Sequence, residues 1–134
     1  MVGAVIITHG DISRSLTEAA EAITGKVEMV KTLSVKSSNA TEELRKTLAS
    51  CVKEVDSGKG VIIFTDMFGG TPMNIALSFF EHGRVEVITG VNLPVLLKFI
   101  GHRSDKDIGE LAVFLRDYGR NSISLACDVL KEKK

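Results

Sequence analysis

A chain of 134 residues with 44% hydrophobic and 25% charged residues has the size and composition of one domain with one core, so we expect a single domain over residues 1–134. The formal net charge is zero, from 17 basic and 17 acidic residues, which argues against a nucleic-acid partner and against an anionic membrane surface. No apolar stretch approaches the roughly 20 residues of a membrane-spanning helix, and no secretory leader precedes the first predicted strand. We therefore expect a cytoplasmic protein that does not insert into the membrane.

Apolar runs rich in β-branched residues alternate with segments of helical period, which is the pattern of a parallel sheet covered by helices. The first four predicted elements are a strand over residues 2–8, a helix that Gly25 ends, a strand over residues 29–35, and a helix that runs from a capping box at residues 39–42 to Gly58. The two helices follow from apolar side chains at a spacing of three or four residues: Leu16, Ala19, Ala20 and Ile23, then Leu44, Leu48, Val52 and Val55.

The second half of the chain continues the same alternation. Its predicted elements are a strand over residues 60–65, a short helix that opens at Pro72 after a Thr71 cap, a strand over residues 85–89, and a helix over residues 93–100. Ser104 is placed to cap a further helix that Gly119 ends. This order predicts an α/β fold: a doubly wound, mainly parallel sheet of four βα units with helices on both faces.

The last segment, NSISLACDVL, alternates polar and apolar residues from 121 to 127, which is typical of an antiparallel edge strand with one face in water. An exposed edge strand invites pairing, so we expect a homodimer formed by strand exchange or by edge addition. A C-terminal helix through Leu130 is the alternative for this segment.

Two cysteines, Cys51 and Cys127, lie far apart in the chain and outside any CxxC motif. In a reducing compartment we expect both to be buried free thiols. The sequence predicts no metal and no cofactor.

Three of the predicted strands end in residues that carry chemistry. In an open parallel sheet, ligands bind beyond the carboxyl ends of the strands, so the turns that follow the strands are expected to meet on one rim. These turns carry THG at residues 8–10, TDMFGGTP at residues 65–72, and GVNLP at residues 90–94. A neutral imidazole is a nucleophile near pH 7, and a carboxylate bonded to its other nitrogen fixes its tautomer. His9 is therefore the predicted nucleophile and Asp66 the residue that orients it.

Glycines and a helix start beside this pair predict a phosphate site. Gly69 and Gly70 let the backbone come close to an incoming group, and free N–H groups at a helix start favour an anion. The candidate phosphate-binding residues are Gly10, Thr65, Gly69, Gly70 and Thr71, with Ser13 and Ser15 as further donors. Met67 and Phe68 are candidate docking residues for a protein partner.

These motifs resemble the mannose-type enzyme IIA domains of the bacterial phosphoenolpyruvate-dependent sugar phosphotransferase system (PTS). THG, TDMFGGTP and GVNLP stand in the family's order, and the similarity covers essentially the whole chain. The resemblance implies a phosphohistidine carrier, in which His9 accepts a phosphoryl group from phospho-HPr and passes it to an enzyme IIB, with Asp66 as its hydrogen-bonded partner. It also implies a dimer in which a C-terminal strand is exchanged.

Two alternatives from other classes are open at this point. A histidine-dependent phosphatase would use His9 as a transient nucleophile, although Thr8 stands where an RHG motif has arginine. A receiver-type switch would take the phosphoryl group on Asp66, although such a switch needs an acidic pair after the first strand and a lysine after a late one. The residues also leave open which nitrogen of His9 reacts, and whether the chain serves sugar uptake or regulation.

Overall fold

The computed structural model describes residues 1–132 and contains a sheet of four strands. The strands are β1 (Gly3–His9), β2 (Val30–Val35), β3 (Val61–Thr65) and β4 (Val85–Ile88). The helices are α1 (Ile12–Thr24), α2 (Thr41–Val55), α3 (Gly70–Leu77), α4 (Leu93–His102), α5 (Ile108–Arg120) and α6 (Ala126–Glu132). The strands lie in the order β2-β1-β3-β4, and each neighbouring pair is parallel. The predicted four-stranded parallel α/β sheet is confirmed.

Helices cover both faces of the sheet, and this explains the continuous apolar runs of the two central strands. Successive residues of a strand point to opposite faces, so Ile6 and Phe64 pack with α1, α4 and α5, while Ile7 and Ile63 pack with α2 and α3. Every residue of β1 before His9 is buried. The first polar side chain that β1 presents to solvent is therefore that of His9.

The strand order reverses between β1 and β3, because the chain first moves outward to β2 and then returns to the other side of β1. In doubly wound sheets this reversal opens a crevice at the carboxyl ends of the two strands. His9 is the last residue of β1, and Asp66 follows β3 directly. The fold thus brings the two predicted site residues to the same crevice.

Two helix caps differ from the prediction. The expected capping box of α2 is absent, because Asn39 Oδ1 accepts a hydrogen bond from the backbone N–H of Lys36 at 2.8 Å, and no side chain caps this helix. The cap of α5 is Asp107, whose Oδ1 accepts from the N–H of Glu110 at 2.9 Å, and not Ser104, which lies in the turn before it. In both cases local side-chain to backbone bonds decide the outcome.

The predicted edge strand over residues 121–127 is wrong for this chain. α5 continues past Gly119 to Arg120, residues 122–125 form neither helix nor strand, and α6 includes Cys127. A strand needs a neighbouring strand to bond its backbone, and within residues 1–132 none pairs with this segment, whereas a helix satisfies its own N–H and C=O groups. The helical alternative is the one observed.

A buried arginine ties together the amino-terminal side of the sheet. The Arg103 guanidinium donates to the carbonyl oxygens of Val2 at 2.9 Å, Glu28 at 2.7 Å and Met29 at 3.0 Å, and it lies over the ring of Phe99. Burial lowers the pKa of Arg103 from its ordinary value. Because three carbonyl oxygens compensate this burial, Arg103 joins the starts of β1 and β2 to the end of α4.

The two cysteines differ in their surroundings. Cys51 is half-buried in α2, and its burial raises the pKa of the thiol, whereas Cys127 is exposed in α6. The prediction of two buried thiols is therefore wrong for Cys127, because α6 extends into solvent rather than joining the sheet.

None of the helices in residues 1–132 combines the length and the hydropathy needed to cross a membrane.

Candidate functional site

His9 and Asp66 form a hydrogen-bonded pair at the carboxyl ends of β1 and β3. Asp66 Oδ2 accepts two hydrogen bonds from His9, one from the backbone N–H at 3.0 Å and one from the ring Nδ1–H at 2.8 Å. The other oxygen, Asp66 Oδ1, is buried and has no partner among residues 1–132. One carboxylate oxygen therefore holds both the backbone and the ring of His9 in place.

This hydrogen bond determines the tautomer of His9. A carboxylate accepts this bond, so a neutral imidazole in this position carries its proton on Nδ1 and keeps the lone pair on Nε2. The His9 side chain is 47% exposed, whereas that of Asp66 is 13% exposed. The arrangement thus offers an accessible imidazole with a free Nε2, supported from beneath by a largely buried carboxylate.

The backbone of Gly70 lies against the reactive edge of the ring. A Cβ at Gly70 would stand 3.1 Å from His9 Cε1 and 3.2 Å from His9 Nε2, closer than ordinary van der Waals contact. Gly69 and Gly70 have φ angles of +92° and +86°, which side chains strongly disfavour. Only glycine at position 70 combines this backbone conformation with space for the imidazole.

α3 begins two residues earlier than predicted. Its first residue is Gly70 and its N-cap is Gly69, so Thr71 is not the cap and Pro72 is not the first helical residue. Because glycine accepts the positive φ angles of this turn, the helix starts directly beside the imidazole. The earlier start brings the amino-terminal end of α3 to His9.

The start of α3 offers unbonded donors to an anion. Within the described residues, the backbone N–H groups of Gly70 and Thr71 and the Thr71 hydroxyl have no hydrogen-bond partner, and Thr71 is exposed. The N–H of Gly69 is engaged, since it donates to Met73 Sδ at 3.0 Å. The start of α3, whose first residue lies against Nε2 of His9, therefore has two N–H groups, one hydroxyl and the positive end of the helix dipole available to an anion.

Two of the predicted phosphate donors make hydrogen bonds to other groups of the protein. The N–H of Gly10 donates to the carbonyl oxygen of Val35 at 2.9 Å, which leaves no free donor on that residue. The Thr65 hydroxyl is fully buried and points to the carbonyl oxygen of Met67 at 3.4 Å. Gly10 and Thr65 therefore shape the ends of β1 and β3 and do not offer a hydrogen bond to a surface ligand.

The start of α1 likewise uses its own donors. The buried Ser13 N–H donates to Thr8 Oγ1 at 2.8 Å, so a strand residue caps this helix from below. The N–H of Ser15 donates to the carbonyl oxygen of Asp11 at 3.1 Å. The backbone N–H groups of the two serines, which were predicted as further donors, are therefore both bonded within the protein.

An ion pair beside the site was not predicted. Asp11 Oδ1 accepts hydrogen bonds from Ser34 Oγ at 3.0 Å and from Arg14 Nη2 at 2.9 Å. The hydrogen bond from Ser34, followed by the contacts with Arg14, lowers the pKa of Asp11. The spacing of Asp11 and Arg14 was the available signal, because residues three apart on the first turn of a helix are neighbours.

The GVNLP turn caps α4 and contacts the end of β3, and it does not contribute to the His9–Asp66 pair. Asn92 Oδ1 accepts from the N–H of Val95 at 3.0 Å and so caps α4, while Asn92 Nδ2 donates to Ser122 Oγ at 2.9 Å. The N–H of Val91 donates to the carbonyl oxygen of Thr65 at 2.9 Å. This third turn adjoins the end of β3, and its residues make no hydrogen bond to His9 or Asp66 in the described structure.

The pair has no metal-binding set around it. Within residues 1–132, no group of three or more His, Cys, Asp or Glu side chains is arranged to hold a metal ion.

Comparison with known protein families decides which family this site belongs to. Residues 3–115 match the EIIA-man family, whose model is described as the PTS system fructose IIA component. The matched range includes His9, Asp66 and the start of α3. The chain belongs to the EIIA-man family.

Individual relatives agree with this family assignment. The IIA chain is 27% identical over 135 residues to the PTS system fructose-specific EIIA component of Bacillus subtilis (strain 168), covering 100% of this chain and 92% of the relative. It is 30% identical over 124 residues to the PTS system mannose-specific EIIAB component of Escherichia coli (strain K12), covering 91% of this chain and 38% of the relative. The chain thus belongs to a family of PTS IIA components, which are phosphotransferase components.

Solved structures show the same fold. The PTS IIA protein associated with the fucose utilization operon from Streptococcus pneumoniae superposes with a TM-score of 0.85 at 28% identity, covering 97% of this chain and 99% of that one. The mannose/sorbose specific IIA subunit from Enterococcus faecalis gives a TM-score of 0.80 at 20% identity, covering 92% and 93%. The predicted family and fold class are both confirmed.

The predicted docking residues of the IIA chain lie at the surface beside the pair. Met67 is 52% exposed and Phe68 is 80% exposed, and both precede Gly69 and Gly70, the second of which borders His9. Met73, one turn into α3, is 6% exposed and belongs to the interior. The apolar surface next to the imidazole therefore consists of the loop residues and not of the helix.

Proposed function

We propose that this IIA chain is a phosphohistidine carrier, which accepts a phosphoryl group from phospho-HPr on Nε2 of His9 and passes it to an enzyme IIB. The observation that carries the proposal is the 2.8 Å bond from His9 Nδ1 to Asp66 Oδ2, because it leaves Nε2 as the nucleophile. Family membership supports the donor and the acceptor, since IIA components act in the PTS phosphorelay.

The transfer follows from the tautomer. The Nε2 lone pair forms a bond to phosphorus as the bond from phosphorus to the donor histidine breaks, and the electron pair of that bond returns to the donor ring. Positive charge develops on the His9 imidazole, while its Nδ1 proton stays in the hydrogen bond to Asp66. Because the Asp66 carboxylate is already in place, it stabilises this charge without reorganisation. Passing the group to enzyme IIB is the reverse displacement, with Nε2 as the leaving nitrogen.

The phosphoryl oxygens need donors at the point where charge accumulates. The free N–H groups of Gly70 and Thr71 and the Thr71 hydroxyl are suited to this role, and the dipole of α3 adds a favourable field. Gly69 contributes by its conformation, which turns the chain into α3 beside the ring. Positioning and electrostatic stabilisation are the two contributions that a phosphoryl transfer requires from the protein.

The contacts of Asp66 disfavour the receiver-type alternative. An aspartate that takes a phosphoryl group needs an accessible oxygen, but Asp66 Oδ1 is buried and Asp66 Oδ2 accepts two bonds from His9. The His9 imidazole, in contrast, is exposed, and its Nδ1 proton is held by Asp66, so Nε2 is accessible to a phosphoryl donor. We therefore place the phosphoryl group on His9.

A protein partner that reaches Nε2 must cover the surface next to it. Met67 and Phe68 form an apolar patch at this position, and we propose that HPr and enzyme IIB both dock on it. Both partners need access to the same nitrogen, so their footprints overlap and their binding is mutually exclusive.

We also propose a homodimer. β4 is an edge strand, and a groove of about 590 Å³ lies between it and α5, lined by Val87, Ile88 and Val113 among others. Ile123 and Leu125 are exposed in the irregular segment after α5. A second copy that lays this segment in the groove would bury both apolar surfaces. Sedimentation of the wild type and of Ile123→Glu tests this arrangement, with a monomeric wild type as the refuting result.

The carrier function is tested by intact-mass analysis after incubation with phosphoenolpyruvate, enzyme I and HPr. We expect one phosphoryl adduct that is stable in base and lost in acid, and its absence in His9→Ala. The matched control is His82→Ala, because His82 is highly exposed and lies before β4, far along the chain from the pair. An unmodified wild type beside an active HPr, or an adduct that survives His9→Ala, would refute the proposal.

A further inference from the structure

The start of α3 has an unusual capping contact. A helix commonly begins with a Ser, Thr, Asp or Asn side chain that bonds an N–H of the first turn, but the N-cap here is Gly69, which has no side chain. Here a helix side chain bonds the N-cap instead: Met73 reaches back one turn, and its Sδ accepts a hydrogen bond from the N–H of Gly69 at 3.0 Å. Met73 is nearly buried, so this contact lies below the surface that faces His9.

The contact between Met73 and Gly69 resembles one of the two hydrogen bonds of a capping box, with a thioether as the acceptor. In a capping box, a Glu or Gln on the first turn reaches back to the N–H of the N-cap residue. A carboxylate in that position would place a negative charge at the helix end that must receive a phosphoryl group, and the two charges would repel. A thioether is a weak but neutral acceptor, so it satisfies the N–H without adding charge.

The contact also bears on the geometry of the imidazole. Gly69 and Gly70 are the two most permissive residues of the loop, and the backbone of Gly70 lies against His9 Nε2. Fixing the N–H of Gly69 fixes the peptide plane between Phe68 and Gly69, from which the chain enters Gly70 through the Gly69 φ angle of +92°. The N–H of Gly70 has no partner within the described residues. A loop with two glycines and no such anchor would lose the orientation of this peptide plane to conformational entropy.

We propose that Met73 is a positioning residue for phosphoryl transfer, whose sulfur holds the Gly69 N–H and keeps the donors of the α3 start aligned with Nε2 of His9 without adding charge. This inference rests on the proposed function for its kinetic consequence, but the hydrogen bond itself can be measured without any transfer.

The test compares Met73→Leu, Met73→Gln and Met73→Glu in the full chain, after urea unfolding has shown that each variant is folded. Leu keeps the volume and loses the acceptor, Gln restores a neutral acceptor, and Glu restores an acceptor with a charge. We expect hydrogen exchange of the Gly69 amide, read by NMR, to be about three- to tenfold faster in Met73→Leu, the factor for a hydrogen bond of ordinary net strength. Met73→Gln and Met73→Glu should keep this amide protected.

The kinetic readout is single-turnover phosphorylation by phospho-HPr over a range of donor concentrations. Met73→Leu should lower the maximal rate and leave the half-saturating concentration unchanged, because the docking surface is intact. Met73→Gln should recover the rate, and Met73→Glu should remain slow in spite of its protected amide.

Three results would overturn the inference: unchanged Gly69 exchange in Met73→Leu, a rate that Gln fails to recover, or a Glu variant as fast as the Gln variant. If the wild type itself is not phosphorylated on His9, the proposed function fails, while the Gly69 exchange comparison still reports on the sulfur contact. The two failures are therefore distinguishable.

Discussion

The contact between Gly70 and His9 gives the sharpest prediction for the site. In Gly70→Ala, the new Cβ stands 3.1 Å from Cε1 and 3.2 Å from Nε2 of the imidazole, whereas carbon contacts are optimal at about 3.5–4.0 Å. The ring must therefore move by several tenths of an ångström, against the hydrogen bond that Asp66 makes to Nδ1. The methyl group also lies within the distance of about 3–3.5 Å at which a reacting phosphorus must approach Nε2.

The chain provides a matched control in the preceding residue. Gly69 and Gly70 both have positive φ angles, so alanine at either position costs about 1–3 kcal/mol of backbone strain. A Cβ on Gly69, however, would meet no atom within 4 Å. Because a misplacement of about 1 Å can reduce a rate about 100-fold, we expect Gly70→Ala to be phosphorylated about 10- to 100-fold more slowly than Gly69→Ala.

The assay is the rate of phosphoryl incorporation from phospho-HPr, followed by intact mass, with urea unfolding as the measure of stability. We expect the two alanine variants to lose similar stability and to differ in rate. Equal rates in the two variants would refute the reasoning, because they would show that the contact with the imidazole has no bearing on transfer.

Three predictions concern the scaffold. Asn92→Ala removes the cap of α4 and should lower the free energy of unfolding by about 1 kcal/mol in urea titrations; an unchanged value would show that Ser122 or water replaces the cap. Arg103→Met removes three charged hydrogen bonds to carbonyl oxygens and should cost about 3 kcal/mol or more by the same measurement, while a loss below about 1 kcal/mol would contradict its role. The hydrogen bond from the Glu110 N–H lowers the pKa of Asp107 from its ordinary 3.8, so its contribution is present above that value and is lost as the pH falls through the folded-state pKa. A carboxyl NMR titration should therefore give Asp107 a pKa below 3.8, and a value at or above 3.8 would contradict the hydrogen bond.

Local sequence patterns predicted the sheet because burial on both faces leaves a strong signal. The runs that form β1 and β3 are uninterrupted apolar segments, and all of β3 and all of β1 before His9 are buried. The predicted bounds of β1 differ from the observed ones by one residue at each end, and those of β3 differ by one residue at the start only. Helix caps were predicted less well, since Asn39 and Asp107 each had several backbone N–H groups within reach and the sequence does not rank them.

The donors around His9 show the limit of reasoning from residue type. Gly10, Thr65 and Gly70 all suit a phosphate site by composition, yet the N–H of Gly10 is bonded to Val35, and the Thr65 hydroxyl is buried. Of these three residues, Gly70 alone keeps a free donor within the described structure. Whether a donor is available depends on which acceptor lies beside it in the folded chain: Val35 of β2 for Gly10, and Met67 in the following loop for Thr65.

The sequence by itself determined the order of the four strands and of the helices through α5, because that order follows from hydrophobic period. The motifs that end the strands carried the family resemblance and the choice of His9 and Asp66 as the pair at the crevice. Tertiary structure decided which nitrogen of His9 is free, which amides remain unbonded, and that residues 126–132 form α6 in place of a strand. The physical reason is that each of these outcomes is a competition among hydrogen-bond partners distant in the chain, and only the folded positions of those partners determine which one is bonded.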